Sequence, residues 1–320
     1  MGNLARIGLS TAAVALFAGC GGSQQIGQTA FPQLQQKGAS TPLPGGTVWY
    51  PASRPLQRYP ESSQPLLYVG DDGQSAVDIF PLTGPNQQQI GTVSNGVDSP
   101  WGLSIDANKS LYVANSNTVT VYTYGSTIPS MTYSPIHRAL YALADSAGHV
   151  FVSGSNNHGV GHVIEFNAGS NQVIAHVKLG SETDGMAEDG QGNLYVAYRG
   201  KADGSIAEFG PRLTKKRHLG VRIWAPQGLL VDRTGKIIVV ESTQDRIDVF
   251  PPGATTPSVT VSIFGIHDLA ELAMQNNETT LWVCSEGGYV YSMPYPLTSS
   301  TVPTEYEQIG GGSNGIAVSP

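Results

Sequence analysis

A repeat with a period of about 43 residues runs from residue 66 to the end of the chain. One set of aromatic or apolar marks, spaced 44, 39, 44, 43 and 44 residues apart, is Tyr68, Tyr112, Phe151, Tyr195, Ile238 and Trp282. A second set, spaced 42, 44, 43, 41 and 43 residues apart, is Phe80, Tyr122, Phe166, Phe209, Phe250 and Met293. Short alternating strands that recur at such a fixed period predict a propeller or a related β-repeat array.

The unit at residues 184–209 shows the design of the repeat. A first strand ends at Asp189, and a tight turn carrying Gly190, Gly192 and Asn193 leads into a second strand and then a third. Apolar residues in these units do not recur at i, i+3, i+4 and i+7, so a helical repeat of this length is excluded. Turn aspartates at the same place in other units are Asp106, Asp145 and Asp232.

The two ends of the repeat region predict how the array closes. Each unit supplies four strands, but the first unit lacks its innermost strand because Leu66–Val69 already matches a second strand. The last residues, Asn314–Ser319, match the innermost strands at Trp101–Asp106 and Gln227–Asp232. We therefore expect an all-β fold over residues 65–320. It is a six-bladed β-propeller with four-stranded blades, closed by the C-terminal strand that completes the first blade.

Composition and charge agree with this fold and exclude one class of partner. Only 13% of the 320 residues are charged, while 39 are Gly and 21 are Pro, as expected for an all-β protein with many turns. The net charge is −7 and the single basic cluster, Lys215–His218, is short enough to be a solvated hairpin tip. An acidic surface of this kind argues against nucleic acid as a partner.

The N-terminus has the features of a bacterial export signal. Arg6 is followed by an apolar run from Ile7 to Phe17 and then by Ala18, Gly19 and Cys20. The Ala-Gly-Cys ending resembles a lipobox, which predicts a lipoprotein signal peptide over residues 1–20, cleavage before Cys20 and lipidation of that cysteine with palmitate or a similar chain. An ordinary secretory signal is the alternative.

The segment after Cys20 predicts how the propeller is connected to the membrane. Residues 21–64 are rich in Gly, Gln, Ser and Pro and have few apolar residues, which predicts a flexible tether. The expected localisation is the bacterial cell envelope, with the lipid anchor in the membrane. The residue after Cys20 is Gly21 and not Asp. In a diderm organism this favours the outer membrane, with the protein facing the periplasm or the cell surface.

One end of the propeller axis is the predicted ligand site. A ring of residues precedes the apolar positions of the innermost strands: Trp101, Leu140, Asp184, Gln227, Ala270 and Asn314. The loops expected on this face carry ten acidic and four basic residues, which favours a cationic or polyhydroxyl ligand or a protein partner. We therefore expect Trp101, Asp184, Gln227 and Asn314 to bind the ligand.

The repeat resembles those of a known group of propellers. The pattern Gly-(apolar)-x-(apolar)-Asp-x-x-Gly-x-Leu-Tyr-Val-Ala, with Ile-x-x-Phe after it, is similar to NHL repeats and to gluconolactonase/regucalcin (SMP-30) propellers over residues 66–320. These propellers include hydrolases, lyases and binding scaffolds. The resemblance implies that an enzyme of this type would hold a divalent cation such as Ca²⁺ on the axis, with Asp184 and Asn314 as ligands. The six ring positions supply one carboxylate, where a hard cation prefers several, so the sequence favours no cofactor.

Two functions from different classes follow from these observations. The first is a lipoprotein whose propeller is a ligand- or protein-binding scaffold without catalytic activity. The alternative is a metal-dependent lactonase-like hydrolase or lyase that uses the axial cation and one of two candidate catalytic histidines, His137 and His267, which lie a few residues before their innermost strands. A structural role for the two histidines is the competing interpretation.

Overall fold

Six four-stranded antiparallel sheets, arranged as blades around one axis, make up the described part of the chain. The computed structural model describes residues 64–82, 88–134, 137–200, 204–263, 267–309 and 311–320. The predicted all-β fold, six-bladed and four-stranded, is confirmed. The predicted signal peptide, Cys20 and all but the last residue of the predicted tether lie outside the described residues.

Twenty-four strands, numbered in chain order, build the six blades of the described region. From inner to outer strand, blade 1 contains β24 (Ile316–Val318), β1 (Leu66–Asp71), β2 (Ala76–Pro81) and β3 (Gly91–Val93), and blade 2 contains β4 (Leu103–Ile105), β5 (Leu111–Ala114), β6 (Val119–Tyr122) and β7 (Met131–Tyr133). In the same order, blade 3 contains β8 (Arg138–Ala144), β9 (Val150–Ser155), β10 (Gly161–Phe166) and β11 (Val173–Lys178), and blade 4 contains β12 (Thr183–Glu188), β13 (Leu194–Arg199), β14 (Gly204–Gly210) and β15 (Thr214–His218). Blade 5 contains β16 (Pro226–Val231), β17 (Ile237–Glu241), β18 (Arg246–Phe250) and β19 (Val259–Ser262), and blade 6 contains β20 (Leu269–Met274), β21 (Thr280–Ser285), β22 (Tyr289–Pro294) and β23 (Thr304–Gln308).

Helical structure in the described region is limited to two single turns of 3-10 helix, Pro211–Leu213 and Ser242–Gln244. Among the described residues no helix has the length and apolar character needed to cross a membrane.

The C-terminal strand closes the ring as predicted. Strand β24 pairs with β1 in antiparallel register, with Val318 opposite Leu67 and Ile316 opposite Val69. The Ser319 side chain continues the contact, because its Oγ accepts a hydrogen bond of 2.8 Å from the backbone N–H of Leu66. Closure of this kind pairs the inner edge of blade 1, which would otherwise be open.

Apolar side chains pack between neighbouring blades in six clusters, one at each junction of the ring. The cluster between blades 6 and 1 contains Trp282 and Ile316, so the closing strand belongs to the core. The third-strand marks of the repeat are all buried, as expected for residues that face a neighbouring blade: Phe80, Tyr122, Phe166, Phe209, Phe250 and Met293.

The recurring aspartates form the turns at the far end of the inner strands. In blade 4 the Asp189 Oδ1 accepts hydrogen bonds from the backbone N–H groups of Gln191 and Asn193, at 2.8 and 2.9 Å. The same two bonds, to the second and fourth following residues, recur at Asp106, Asp145 and Asp232. These carboxylates replace missing backbone partners in a tight turn, which accounts for their position in the repeat.

Candidate functional site

All six residues of the predicted ring line one small cavity on the axis. Its volume is about 20 Å³, and Gly185 and Glu271 complete its wall. A cavity of this size holds one water molecule or a single ion. The structure thus brings together the four predicted ligand-binding residues, Trp101, Asp184, Gln227 and Asn314.

A recurring bulge at the start of the inner strands directs two successive residues to the axis. In blade 4 the register between β12 and β13 shifts between Thr183 and Met186, which spans Asp184 and Gly185. Corresponding shifts in blades 5 and 6 lie between Pro226 and Leu229 and between Leu269 and Leu272. A bulge inserts an unpaired residue and redirects side chains, so Ala270 and Glu271 both reach the cavity.

Most of the residues that come directly after a ring residue in the sequence are glycines, because the inner strands approach each other closely there. A Cβ atom on Gly315 would lie 2.1 Å from the carbonyl oxygen of Trp101, and one on Gly185 would lie 2.4 Å from that of Gln227. Neither position has space for a side chain. Glu271 stands at the equivalent place in blade 6, and sequence analysis missed it as a site residue.

Two carboxyl groups are therefore buried at the axis. Burial raises the pKa of Asp184 to about 7, against the charge of Arg199, whose Nε lies 3.5 Å from the Asp184 Oδ2. Burial likewise raises the pKa of Glu271 to about 8, although its Oε1 accepts a hydrogen bond from the backbone N–H of Leu272. The negative charge of Asp184 raises the pKa of Glu271 further. Each group consequently keeps its proton to a higher pH than a free carboxyl group does.

A larger cleft opens beside the axis on the same face, called here the axial face. Its volume is about 830 Å³, and the loops that lead into the inner strands or join second to third strands supply its wall. The lining residues are Asp72, Ser99, Trp101, Ser116, Asn117, His137, Arg138, Ser155, Asn156, Asn157, Gly159, Ser181, Glu182 and Arg199. Trp101 also lines the axial cavity, so its side chain is the shared wall of the two spaces.

A chain of charged side chains connects the cleft to the axis. The guanidinium of Arg138 lies over the ring of Trp101, at 4.4 Å from its centroid, and pairs with Glu182. Arg199 approaches the other oxygen of Glu182 at 3.5 Å and the carboxylate of Asp184 at the same distance. Both arginine side chains stay about two-fifths exposed, with exposed fractions of 42% and 40%.

The charge of the cleft differs from the charge predicted for its face. The lining contains two acidic residues, Asp72 and Glu182, and two arginines, so the acidic character of the axial face is not concentrated there. Exposed acids of this face such as Asp98, Asp268 and Glu286 lie outside the cleft lining. The acidic residues predicted for this face are therefore distributed around the cleft and not gathered in its lining.

The two candidate histidines are placed in different surroundings. His137 lines the cleft, and its carbonyl oxygen accepts a hydrogen bond from the side-chain amide of Asn117. His267 lies outside both spaces, with its side chain 85% exposed and its Nδ1 at 3.2 Å from the Oδ2 of Asp245. No described contact joins either imidazole to Asp184. Of the two candidate histidines, His137 is therefore the one that lines the candidate site.

The axial cavity has donors of the type that a hard cation prefers. They are the carboxyl groups of Asp184 and Glu271 and the side-chain amides of Gln227 and Asn314. The Asp184 Oδ2 and the Asn314 Oδ1 are buried without a hydrogen-bond partner. Within the described region no three His, Cys, Asp or Glu side chains come together as a metal site. The donors fit Ca²⁺ in chemical type, but the remainder of its roughly six to eight oxygen ligands would have to be backbone carbonyl groups, because a cavity of about 20 Å³ has room for the ion alone.

Comparisons with known proteins agree with the fold. No protein-family model matches the chain, and no curated protein matches it. A chain in the crystal structure of a nidogen/laminin complex is similar at a TM-score of 0.61 and 14% identity, covering 80% of this chain and 98% of that one. A protein of unknown function from Bacteroides caccae matches at 0.59 and 12% identity, covering 80% and 99%. The Dos1 propeller matches at 0.50 and 12% identity, covering 77% and 68%. At these identities the likenesses show the β-propeller fold alone.

Proposed function

We propose that this chain is a lipid-anchored protein of the bacterial cell envelope whose propeller binds a polar ligand or a protein partner without converting it. The observation that carries the proposal is the cleft of about 830 Å³ on the axial face, with two half-exposed arginines beside Trp101. Concave sites with a few convergent polar groups are where ligands bind in proteins. The resemblance to NHL propellers, which include binding scaffolds, supports the same function.

Cross-linking from the rim of the cleft tests the scaffold function. Asn157 is exposed and lines the cleft, whereas Gln191 is exposed in the turn after Asp189, at the far end of the inner strands. A photoreactive amino acid at position 157 should capture a defined envelope component in intact cells, and one at position 191 should not. Equal products from both positions, or none from position 157, would contradict binding at the cleft.

Lipidation at Cys20 is the proposed basis of the location. The support is the Arg6 and apolar run ahead of Ala18, Gly19 and Cys20. Cys20→Ala should abolish labelling of the chain with a palmitate analogue and leave the protein unanchored or unprocessed, because the acceptor thiol is gone. Labelling and membrane retention equal to those of the unmodified chain would rule out Cys20 as the anchor.

A catalytic function on the axis is a second candidate, favoured by one observation. Glu271 adds a second carboxyl group to the cavity that holds Asp184, and the Oδ1 of Asn314 is buried there without a hydrogen-bond partner. Asp184, Glu271, Gln227 and Asn314 would hold the cation. A bound hard cation supplies Lewis-acid polarisation of a substrate oxygen or a water molecule of lowered pKa.

In this candidate function the chain itself would position the substrate. Arg138 and Arg199 would orient a polar substrate in the cleft, and His137 at the cleft wall would take up a proton. Metal analysis of the purified chain, together with hydrolysis of a panel of lactones, separates the enzyme from the scaffold.

A further inference from the structure

We propose that the cleft binds an oligosaccharide that carries a carboxylate, a uronate-containing sugar, and that the ligand carboxylate takes the position that Glu182 has in the free protein. The assignment names the ligand class of the same cleft and so rests on the proposed function. Three features support it: the two arginines that hold Glu182, the side-chain nature of both described partners of its carboxylate, and the polar lining around them.

Arg138 and Arg199 form a site for one carboxylate. Arg138 contacts one oxygen of Glu182 and Arg199 approaches the other at 3.5 Å, so two guanidinium groups from different blades converge on a single carboxylate. Arginine is suited to this task because its planar group offers several N–H donors in a fixed arrangement. The two side chains remain 42% and 40% exposed, so both can be reached from the cleft.

The described partners of the Glu182 carboxylate are both side chains, which a ligand carboxylate could share. The Glu182 side chain is 19% exposed and precedes β12, and in the described contacts only the two arginines hold its carboxylate. The buried glutamate of the 5th blade differs, because the Oε1 of Glu241 also accepts a backbone hydrogen bond from Trp224. If a ligand carboxylate replaced Glu182, the charge of the site would be conserved and no guanidinium would lose its partner.

The rest of the lining favours a sugar over a peptide. Apart from Trp101 and Gly159, every described lining residue has a polar side chain. Serine hydroxyls and the amides of Asn117, Asn156 and Asn157 donate and accept hydrogen bonds, as the hydroxyl groups of a sugar do. Apolar pockets that would take the side chains of a bound peptide are missing from this lining. Trp101 supplies one aromatic surface, which Arg138 already partly covers.

Calorimetric titration of the full chain with trigalacturonate and with maltotriose, at pH 7 and constant ionic strength, tests this assignment. The acidic sugar should bind at least about tenfold more tightly, since one charge-assisted hydrogen bond is worth roughly a factor of ten or more. Arg138→Gln and Arg199→Gln should each weaken its binding by about tenfold. Glu182→Gln should strengthen it, because the competing carboxylate is removed.

Arg217→Gln is the matched control. Arg217 is 64% exposed and pairs with Glu208 in a separate cleft next to the turn after Asp189, so its loss should leave the affinity unchanged. Thermal unfolding of each variant confirms that it is folded.

Several results would overturn the assignment. Equal affinity for the neutral sugar, unchanged affinity of both arginine variants, or no binding of either sugar would each exclude a uronate ligand. Tighter binding of triglutamate than of trigalacturonate would replace the sugar with an acidic peptide. Specific cross-linking at position 157 alongside any of these outcomes would keep the scaffold function and reject only the ligand class; loss of that cross-link would reject both.

Discussion

A chain that lacks residues 315–320 should be largely insoluble or should unfold at a far lower temperature than the full protein. The deletion removes β24, whose Ile316 and Ala317 are buried in the junctions of blade 1 with its neighbours. Burial of one large aliphatic side chain contributes about 1.5–3 kcal/mol. Each lost ladder hydrogen bond contributes about 0.5–1.5 kcal/mol more.

These losses approach the whole stability of a typical domain, which is roughly 5–15 kcal/mol. The deletion also exposes the inner edge of β1, which would then present unpaired N–H and C=O groups to other chains. Thermal unfolding and the soluble fraction on expression measure the effect. Val302→Ala is the control, since Val302 is 76% exposed and its truncation should change the midpoint little. A deletion variant that melts within a few degrees of the full chain would mean that β24 does not close the ring.

The architecture could be predicted from sequence because every blade repeats the same constraint. A residue such as Phe209 must face the preceding blade in each unit, so its chemical type recurs at the repeat period and reports the position of a strand. The closing strand was recognisable for the same reason, because Asn314–Ser319 repeats the pattern of the inner strands at Trp101–Asp106 and Gln227–Asp232.

The site was harder to predict because it depends on departures from regular structure. Strict alternation would place Glu271 on the opposite side of β20 from Ala270, but the bulge directs both to the axis. One signal was present, since Gly102, Gly185, Gly228 and Gly315 occupy the same position in four blades and make a glutamate there unusual. The pairing of Arg138 with Glu182 joins two blades through side chains 44 residues apart, and no sequence pattern specifies such a contact.

The buried carboxyl pair should make the free energy of unfolding fall as the pH rises from about 4 to about 8. Asp184 and Glu271 have pKa values of about 7 and about 8 in the folded protein, against ordinary values of 3.8 and 4.5. Between these limits the folded state binds more protons than the unfolded state, so stability is present at low pH and is lost as the pH rises. A shift of three pKa units corresponds to about 4 kcal/mol.

Glu271→Gln is the variant that isolates this effect, because its amide oxygen can still accept the hydrogen bond from the N–H of Leu272. Histidines whose pKa is lowered in the folded protein, such as His162, contribute stability that increases with pH, which opposes the effect of the carboxyl pair. The quantity to measure is therefore the difference in the free energy of unfolding between the variant and the parent chain. Denaturant titrations from pH 5 to 8.5 should show the parent losing stability relative to Glu271→Gln. Glu286→Gln, an exposed residue of the same face, should follow the parent at every pH.

The same titrations distinguish a proton from a cation on the axis. A Ca²⁺ ion that binds the folded state would favour the ionised carboxyl groups, and the stability of the parent at pH 8 would rise with the logarithm of the Ca²⁺ concentration above its Kd. Asp184→Asn would then remove that gain, because the amide that replaces the carboxylate has no charge to attract the ion. If added Ca²⁺ has no effect and the parent loses stability with pH, the pair holds protons and the axis of the propeller has a structural role. A parent whose stability relative to Glu271→Gln stays constant from pH 5 to 8.5 would show that the two carboxyl groups are not buried together, and the axial site of the catalytic candidate would have to be abandoned.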